Sequence, residues 1–163
     1  MNDRKLLGVA MAVALVFATG WLWRAAGDAV PDRSRVSAGA PASLDGVEYR
    51  LRSMTSGERV TTGSDRPTVA VRGAVLILAE VDYDATGATG STFCSFELVA
   101  GDTTWDAEAG YYPPEGGSVS CAPGKTGTVS VLFEVPGGFL DRIQGVGVVN
   151  LGGTEPILPG RPG

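Results

Sequence analysis

The chain contains no histidine, and it has only two cysteines in 163 residues. Without histidine it lacks the commonest general base and the commonest zinc ligand, and neither a Ser-His nor a Cys-His catalytic pair can form. Lys125 is the only lysine beyond residue 43, and no serine pattern near it supports Ser-Lys catalysis. These absences exclude several classes of enzyme.

Charge is unevenly distributed along the chain. Five basic and three acidic residues give residues 1–43 a net charge of +2, whereas eight basic and fifteen acidic residues give residues 44–163 a net charge of −7. A strongly negative surface disfavours nucleic acid and anionic membrane surfaces as partners. We therefore expect no nucleic-acid ligand. The apolar share of 44% is enough for a packed core, and 24 glycines and 10 prolines predict many turns.

An uncharged, largely apolar run covers residues 6–23. Its 18 residues would form a helix roughly 27 Å long, which is just enough to cross the bilayer core. Trp21 and Trp23 close the run and Arg24 follows, and these residue types suit the membrane interface. The pattern predicts a transmembrane signal-anchor over residues 6–23, with residues 1–5 in the cytoplasm.

Two features predict the orientation of this anchor. Arg4 and Lys5 favour a cytoplasmic N-terminus, and the two cysteines of the C-terminal part would need an oxidising compartment to pair. We therefore expect a single-pass protein of the cell membrane whose C-terminal domain is extracytoplasmic. The alternative is secretion after signal cleavage, because Ala18-Thr19-Gly20 has the small residues that a signal peptidase recognises.

Residues 24–43 are rich in Pro, Gly and Ala and read as a linker. From residue 44 onward the apolar residues recur with a period of two, which is typical of strands. Residues 47–52 and 128–135 alternate between apolar and polar, whereas 74–81 are nearly all apolar and suit a central strand covered on both sides. Further candidate strands are at 93–100 and 144–151, and shorter ones are at 69–71 and 119–121. One helical turn is predicted near 138–142.

Seven or so short strands separated by Gly- and Pro-containing turns indicate an all-β fold. We expect an immunoglobulin-like antiparallel β-sandwich over residues 44–155, preceded by one N-terminal transmembrane helix and followed by a Pro/Gly-rich tail at 156–163. No internal repeat is apparent.

The strand parity of the two cysteines suggests that they face the interior. Cys94 shares its face with Phe96 and Leu98, and Cys121 shares its face with Val119. Given export, we expect a Cys94–Cys121 disulfide between strands. The alternative is two unrelated buried thiols, which behave as small apolar side chains.

Three short segments carry a resemblance to a known group of proteins: Phe-Cys-Ser-Phe-Glu-Leu at 93–98, Cys-Ala-Pro-Gly-Lys-Thr-Gly at 121–127 and Val-Leu-Phe-Glu-Val-Pro at 131–136. Together with the N-terminal apolar segment and the linker, they resemble exported actinobacterial proteins that have a telokin-like, immunoglobulin-type sandwich. That group includes secreted mycobacterial antigens and related domains of unknown function. The resemblance implies a non-catalytic extracellular domain and supplies no functional residues.

Few residues are candidates for a site. Asp82 and Asp84 imitate the start of a calcium loop, but Phe93 stands at the twelfth position where an EF-hand needs Glu, so they are only weak metal candidates. Tyr111 and Tyr112, beside two prolines in a Gly-rich segment, are candidate anchors for a partner protein.

These features favour a non-catalytic, membrane-anchored, extracytoplasmic binding or assembly module that contacts another protein of the cell envelope and uses no cofactor. One alternative is a sensor domain that binds calcium or another small ligand. The other is an enzyme, for which Asp106 and Glu108 would be the paired carboxylates of sugar hydrolysis, although nothing in the sequence fixes their separation.

Overall fold

The structure is a computed structural model, and it describes residues 33–61, 67–88, 94–108, 121–149 and 155–163. The predicted anchor at 6–23, with Trp21, Trp23 and Arg24, lies outside these residues, as do Tyr111 and Tyr112. Within the described ranges, no helix has the length and apolarity needed to cross a membrane.

The described part of the chain folds as strands with one short 3₁₀ helix, Gly137–Arg142. The strands are β1 (Arg33–Arg35), β2 (Ala42–Leu44), β3 (Val47–Gly57), β4 (Arg59–Thr61), β5 (Pro67–Val69), β6 (Ala74–Asp84), β7 (Phe96–Ala100), β8 (Thr103–Asp106), β9 (Thr126–Pro136), β10 (Gly145–Val148) and β11 (Glu155–Pro159).

Two sheets enclose the core. One has four strands in the order β2-β3-β6-β9, and the other has five in the order β1-β11-β10-β7-β8. A single apolar cluster takes buried side chains from both sheets, including Val81 and Phe133 from the first and Leu98 and Val146 from the second. This arrangement is a β-sandwich, because each sheet buries one face against the other.

The alternation of apolar and polar residues in the sequence matches the alternation of buried and exposed residues in the strands. On β3 the buried Val47 and Tyr49 alternate with the exposed Glu48 and Arg50. The pattern confirms the predicted strand, since successive side chains of a strand point to opposite faces.

The central strand β6 is covered on both faces only in its first half. There a hairpin of β4 and β5 lies over the outer face, and its Val60 and Ala70 pack against Leu76 of β6 and Leu132 of β9. In the second half, the outward side chains of β6 are charged. The prediction of two-sided burial over 74–81 therefore holds for the part beneath the hairpin.

Two predicted boundaries need correction. β1 lies within the predicted linker at 24–43 and β2 begins there, and β11 extends into the predicted tail at 156–163. The tail continues beside β3, where the Gly163 N–H donates to the Met54 carbonyl and the Ser56 N–H donates to the Gly163 carbonyl, both at 3.2 Å. Ala42 of β2 and Leu158 of β11 reach the core, but the strands are only three to five residues long, which is too short to show an apolar period.

The prediction of a purely antiparallel sandwich also needs correction. β1 pairs with β11 in parallel, with Arg33 beside Glu155 and Arg35 beside Ile157. The Val36 N–H extends this ladder with a bond of 3.2 Å to the Ile157 carbonyl. A parallel partner so far along the chain leaves no hairpin-turn signal between the two strands, because parallel neighbours require a long connection.

The predicted disulfide between Cys94 and Cys121 is confirmed. The two Cα atoms are 5.6 Å apart, and the bond joins residues separated by 27 positions. Cys121 is buried in the core, and the Tyr49 hydroxyl donates to Sγ of Cys94 at 3.7 Å. The bridge thus connects the segment before β7 to the segment before β9.

Candidate functional site

The outer face of the four-stranded sheet has two unlike halves. One lies beneath the β4–β5 hairpin and is apolar. The other, which we call the polar half, carries side chains in cross-strand rows because neighbouring strands present directly opposite residues on the same face. These rows are Glu48–Asp84–Thr126, Arg50–Asp82–Thr128 and Ser53–Glu80–Ser130.

Asp82 is the centre of the polar half. The Thr128 hydroxyl donates to Oδ1 of Asp82 at 2.7 Å, and Nε of Arg52 lies 3.2 Å from the same carboxylate. The register of β3 shifts between Leu51 and Ser53, which leaves Arg52 without a partner opposite it. A bulge of this kind re-aims a side chain, and here it accompanies the reach of Arg52 to Asp82.

Two further carboxylates on β6 are also engaged. The Ser53 hydroxyl donates to Glu80 at 2.8 Å. At the end of the strand, Oδ1 of Asp84 accepts from the Thr86 hydroxyl at 2.6 Å and from the Thr86 N–H at 2.9 Å. These two hydrogen bonds, the hydroxyl first, hold the pKa of Asp84 below its ordinary value, and the slight burial of the carboxyl opposes them.

Replacing Thr86 with valine removes the hydroxyl donor and keeps the backbone N–H, so the pKa of Asp84 should rise toward its ordinary value of 3.8. Carboxyl-carbon NMR titration measures this rise. Because the pKa is lowered in the folded state, the associated stabilisation is present above 3.8 and is lost as the pH falls through the lowered pKa.

Thr128→Val is the matched control for this titration, because its hydroxyl donates to Asp82 and not to Asp84. It should leave the pKa of Asp84 unchanged. The same pKa in Thr86→Val and in the unmodified protein would show that the hydroxyl has no such effect.

An open groove of about 240 Å³ runs along the edge of the polar half. Glu48, Arg50, Asp82 and Asp84 supply its charges, and Pro41, Tyr49 and Tyr83 complete its lining. Within the described part of the chain, Glu48 and Arg50 form no ion pair, and both are exposed. Their charged groups are thus available for charge-assisted hydrogen bonds to a partner surface.

Two buried tyrosines, Tyr49 and Tyr83, lie beneath the groove. Burial, and then the nearby Asp45 carboxylate, raises the pKa of Tyr49 above 10.0. The Tyr83 hydroxyl accepts a hydrogen bond from the Ala122 N–H at 3.1 Å. Gly127 lies opposite Tyr83, and a Cβ there would approach the Tyr83 ring to 2.9 Å, so glycine leaves room for the ring.

The calcium candidates Asp82 and Asp84 do lie on the same face of β6, two positions apart. Asp82, however, is paired with Arg52. Among the described residues, no group of three or more His, Cys, Asp or Glu side chains is placed to hold a metal ion. Calcium binding therefore stays a prediction from the sequence.

A second charged cluster, on the five-stranded sheet, was missed by the sequence reasoning. Arg33 of β1 lies 2.8 Å from Glu97 of β7 through one guanidinium nitrogen, and its Nε lies 3.7 Å from Glu155 of β11. The exposed fractions of the three side chains are 18%, 10% and 9%. The only signal was a glutamate within the apolar run 96–100, since a charge in a buried strand needs a partner.

No protein-family model matches the chain, and no curated protein matches it. Among solved structures, it is similar to an uncharacterized β-sandwich protein from Clostridium difficile 630, whose crystal structure is at 1.90 Å resolution. The identity is 13% and the TM-score is 0.49, over 78% of this chain and 94% of that chain. At these values the similarity carries no functional argument.

Proposed function

We propose that residues 33–163 form a non-catalytic extracytoplasmic binding or assembly module that contacts another protein of the cell envelope. The observation that supports this is the difference between the two halves of the outer face of the four-stranded sheet. The chain covers the apolar half with its own hairpin and leaves the polar half, with the exposed Glu48 and Arg50, open among the described residues. An exposed surface with both signs of charge suits recognition of a complementary surface.

We also propose the location and the kinship that the sequence suggests. Residues 6–23 anchor the chain in the cell membrane with the N-terminus in the cytoplasm, and secretion after signal cleavage is the alternative. The sandwich is of the immunoglobulin-like, telokin-like kind found in exported actinobacterial proteins. The proposed kinship rests on the segments 93–98, 121–127 and 131–136, the last of which lies within β9. The proposed location is supported by the Cys94–Cys121 disulfide, which needs an oxidising compartment.

Site-specific photo-crosslinking in intact cells tests the proposed contact. Amine-reactive reagents suit this domain poorly because Lys125 is its only lysine. A benzoylphenylalanine in place of Arg50 is expected to give a discrete light-dependent adduct with a protein. The matched control replaces Asp102, which is exposed in the turn between β7 and β8 on the other sheet. No adduct at position 50, or equal adducts at both positions, would contradict the proposal.

The same experiment tests the two tyrosines predicted as partner anchors. Tyr111→Ala/Tyr112→Ala is expected to lower the yield of the adduct at position 50, because buried aromatic anchors carry much of an interface's binding energy. An unchanged yield would remove these tyrosines from the contact while leaving the polar half in place.

A further inference from the structure

The two tyrosines beneath the groove are both linked to the disulfide. Tyr49 of β3 and Tyr83 of β6 lie directly opposite each other in the sheet, and both are buried. The Tyr49 hydroxyl donates to Sγ of Cys94 at 3.7 Å. The Tyr83 hydroxyl accepts from the N–H of Ala122, the residue after Cys121, at 3.1 Å. Each cysteine is therefore tied to one of the two strands that carry the groove.

These links form a closed ring under the groove. From Tyr49 the path runs through the disulfide and Ala122 to Tyr83, and the pairing of β3 with β6 closes it. The charged rows of the groove come immediately before and after the tyrosine pair along both strands. Because each link is a covalent bond or a hydrogen bond, the ring fixes the floor on which these charged side chains stand.

The turn that follows Cys121 extends the ring to the end of β6. The Ala85 N–H donates to the Lys125 carbonyl at 2.8 Å, and the Gly124 N–H donates to the Ala85 carbonyl at 3.0 Å. Ala85 directly follows Asp84, which is one of the carboxylates of the groove. The position of the second cysteine is thus coupled, through backbone hydrogen bonds, to a charged group of the site.

We propose that the Cys94–Cys121 disulfide is a redox switch for the groove: the oxidised protein holds the groove in its binding form, and reduction releases the partner. The inference rests on the proposed function and adds the regulation of that same site. Once the bond is broken, the segments that carry the two cysteines move more independently, and the tyrosine side chains regain freedom. A partner must restrict that freedom again when it binds, so binding to the reduced protein is weaker.

Reduction starts at Cys94, because its side chain is partly exposed whereas Cys121 is buried. The thiolate of a dithiol reductant attacks Sγ of Cys94, the disulfide breaks, and Cys121 leaves as a thiolate. The second thiol of the reductant then displaces Cys94 from the mixed disulfide. Two electrons pass to the protein, the dithiol becomes a disulfide, and its two protons end on the two cysteine thiols.

The domain keeps its fold in the reduced state. The Tyr49 ring also packs edge-to-face against Phe96, with ring centroids 5.9 Å apart, and this contact does not involve the sulfur atoms. One disulfide supplies less stability than a typical small domain has in total. Reduction therefore loosens the floor of the groove without unfolding the sandwich, as a switch requires.

Photo-crosslinking in isolated membranes, with and without dithiothreitol, tests the switch. In the full chain with benzoylphenylalanine in place of Arg50, reduction should lower the yield of the protein adduct about tenfold. Cys94→Ser/Cys121→Ser should give the low yield without reductant and should not respond to it, which separates this effect from one on the partner's own disulfides. A double-serine yield equal to that of the oxidised protein, or an equal response of both proteins to dithiothreitol, would overturn the switch.

Two further variants separate the groove from general destabilisation. Arg33→Met breaks ion pairs on the other sheet and is expected to destabilise the domain to a similar extent, so it should leave the adduct yield within about twofold. Tyr49→Phe/Tyr83→Phe keeps the disulfide and removes both hydroxyl links, so the effect of dithiothreitol should shrink to about threefold or less. An equal loss for Arg33→Met, or a full tenfold response of the tyrosine variant, would overturn the coupling through the ring.

Amide chemical shifts test the ring without a partner. In the full chain in detergent micelles, the shifts of Arg50 and Asp84 should change on reduction, whereas that of Thr103, on β8 of the other sheet, should not. Unchanged shifts at Arg50 and Asp84 would overturn the switch. A constant adduct yield on reduction would also overturn the switch alone, whereas no adduct at position 50 in the oxidised protein would contradict the proposed function and the switch with it.

Discussion

Replacing both Cys94 and Cys121 with serine is expected to lower the free energy of unfolding by about 3.5 kcal/mol. The bond closes a loop between residues that are 27 positions apart, and losing it restores the conformational freedom of that loop to the unfolded chain. Since small domains have about 5–15 kcal/mol of stability in total, this loss would be a large fraction.

Thermal unfolding of the full chain in detergent micelles measures the effect, and the midpoint should fall by about 10 °C. Fluorescence of Trp105 is a suitable probe of the domain, because this side chain packs against Phe139 with ring centroids 5.0 Å apart. The unmodified protein under a dithiol reductant should approach the midpoint of the variant, and the variant itself should not respond to reductant. Equal midpoints for the oxidised protein and the variant would contradict the expected stabilisation.

Arg33→Met is expected to lower the free energy of unfolding by about 3 kcal/mol, because it leaves the largely buried carboxylates of Glu97 and Glu155 without a cation. Most of the loss arises from the desolvated charges that remain. β1 should also detach more readily from β11, because the ion pairs of Arg33 link β1 to Glu97 of β7 and Glu155 of β11.

Arg35→Met is the matched control, because Arg35 lies on the same strand but is exposed. It should change the stability by less than about 0.5 kcal/mol, as is usual at a surface position. The triple variant Arg33→Met/Glu97→Gln/Glu155→Gln should recover much of the stability, because no uncompensated charge remains. Chemical denaturation compares the free energies of unfolding of the three variants. Equal losses of stability for Arg33→Met and Arg35→Met would contradict the role of the ion pairs of Arg33 with Glu97 and Glu155.

The strands of the core could be predicted from the sequence because burial imposes a local pattern. The alternation over 47–52 predicted β3, and the alternation over 128–135 predicted β9. The inward parity of Cys94 predicted its bond to Cys121. Each of these features depends on which face of one strand is buried, and a period of two records that directly.

The polar half was only partly predictable. Asp82 and Asp84 were noticed as neighbouring carboxylates that imitate the start of a calcium loop, and the structure places both on an extended strand. Thr128 and Arg52, which bond to Asp82, come from two other strands. Which strands flank β6, and in which register, depends on pairing between distant segments, and short-range spacing does not contain that information.

The amino-acid sequence by itself determined the class of domain: its alternating strands, its turn residues, its acidic balance and its inward-facing cysteines. Only the tertiary structure decided that β1 pairs in parallel with β11, that Arg33 meets Glu97 64 residues away, and that a hairpin covers one half of a sheet and leaves the other half open. The physical reason is that the hydrophobic effect acts on each strand through its own pattern, whereas backbone pairing and ion pairs join segments whose sequences are independent of one another.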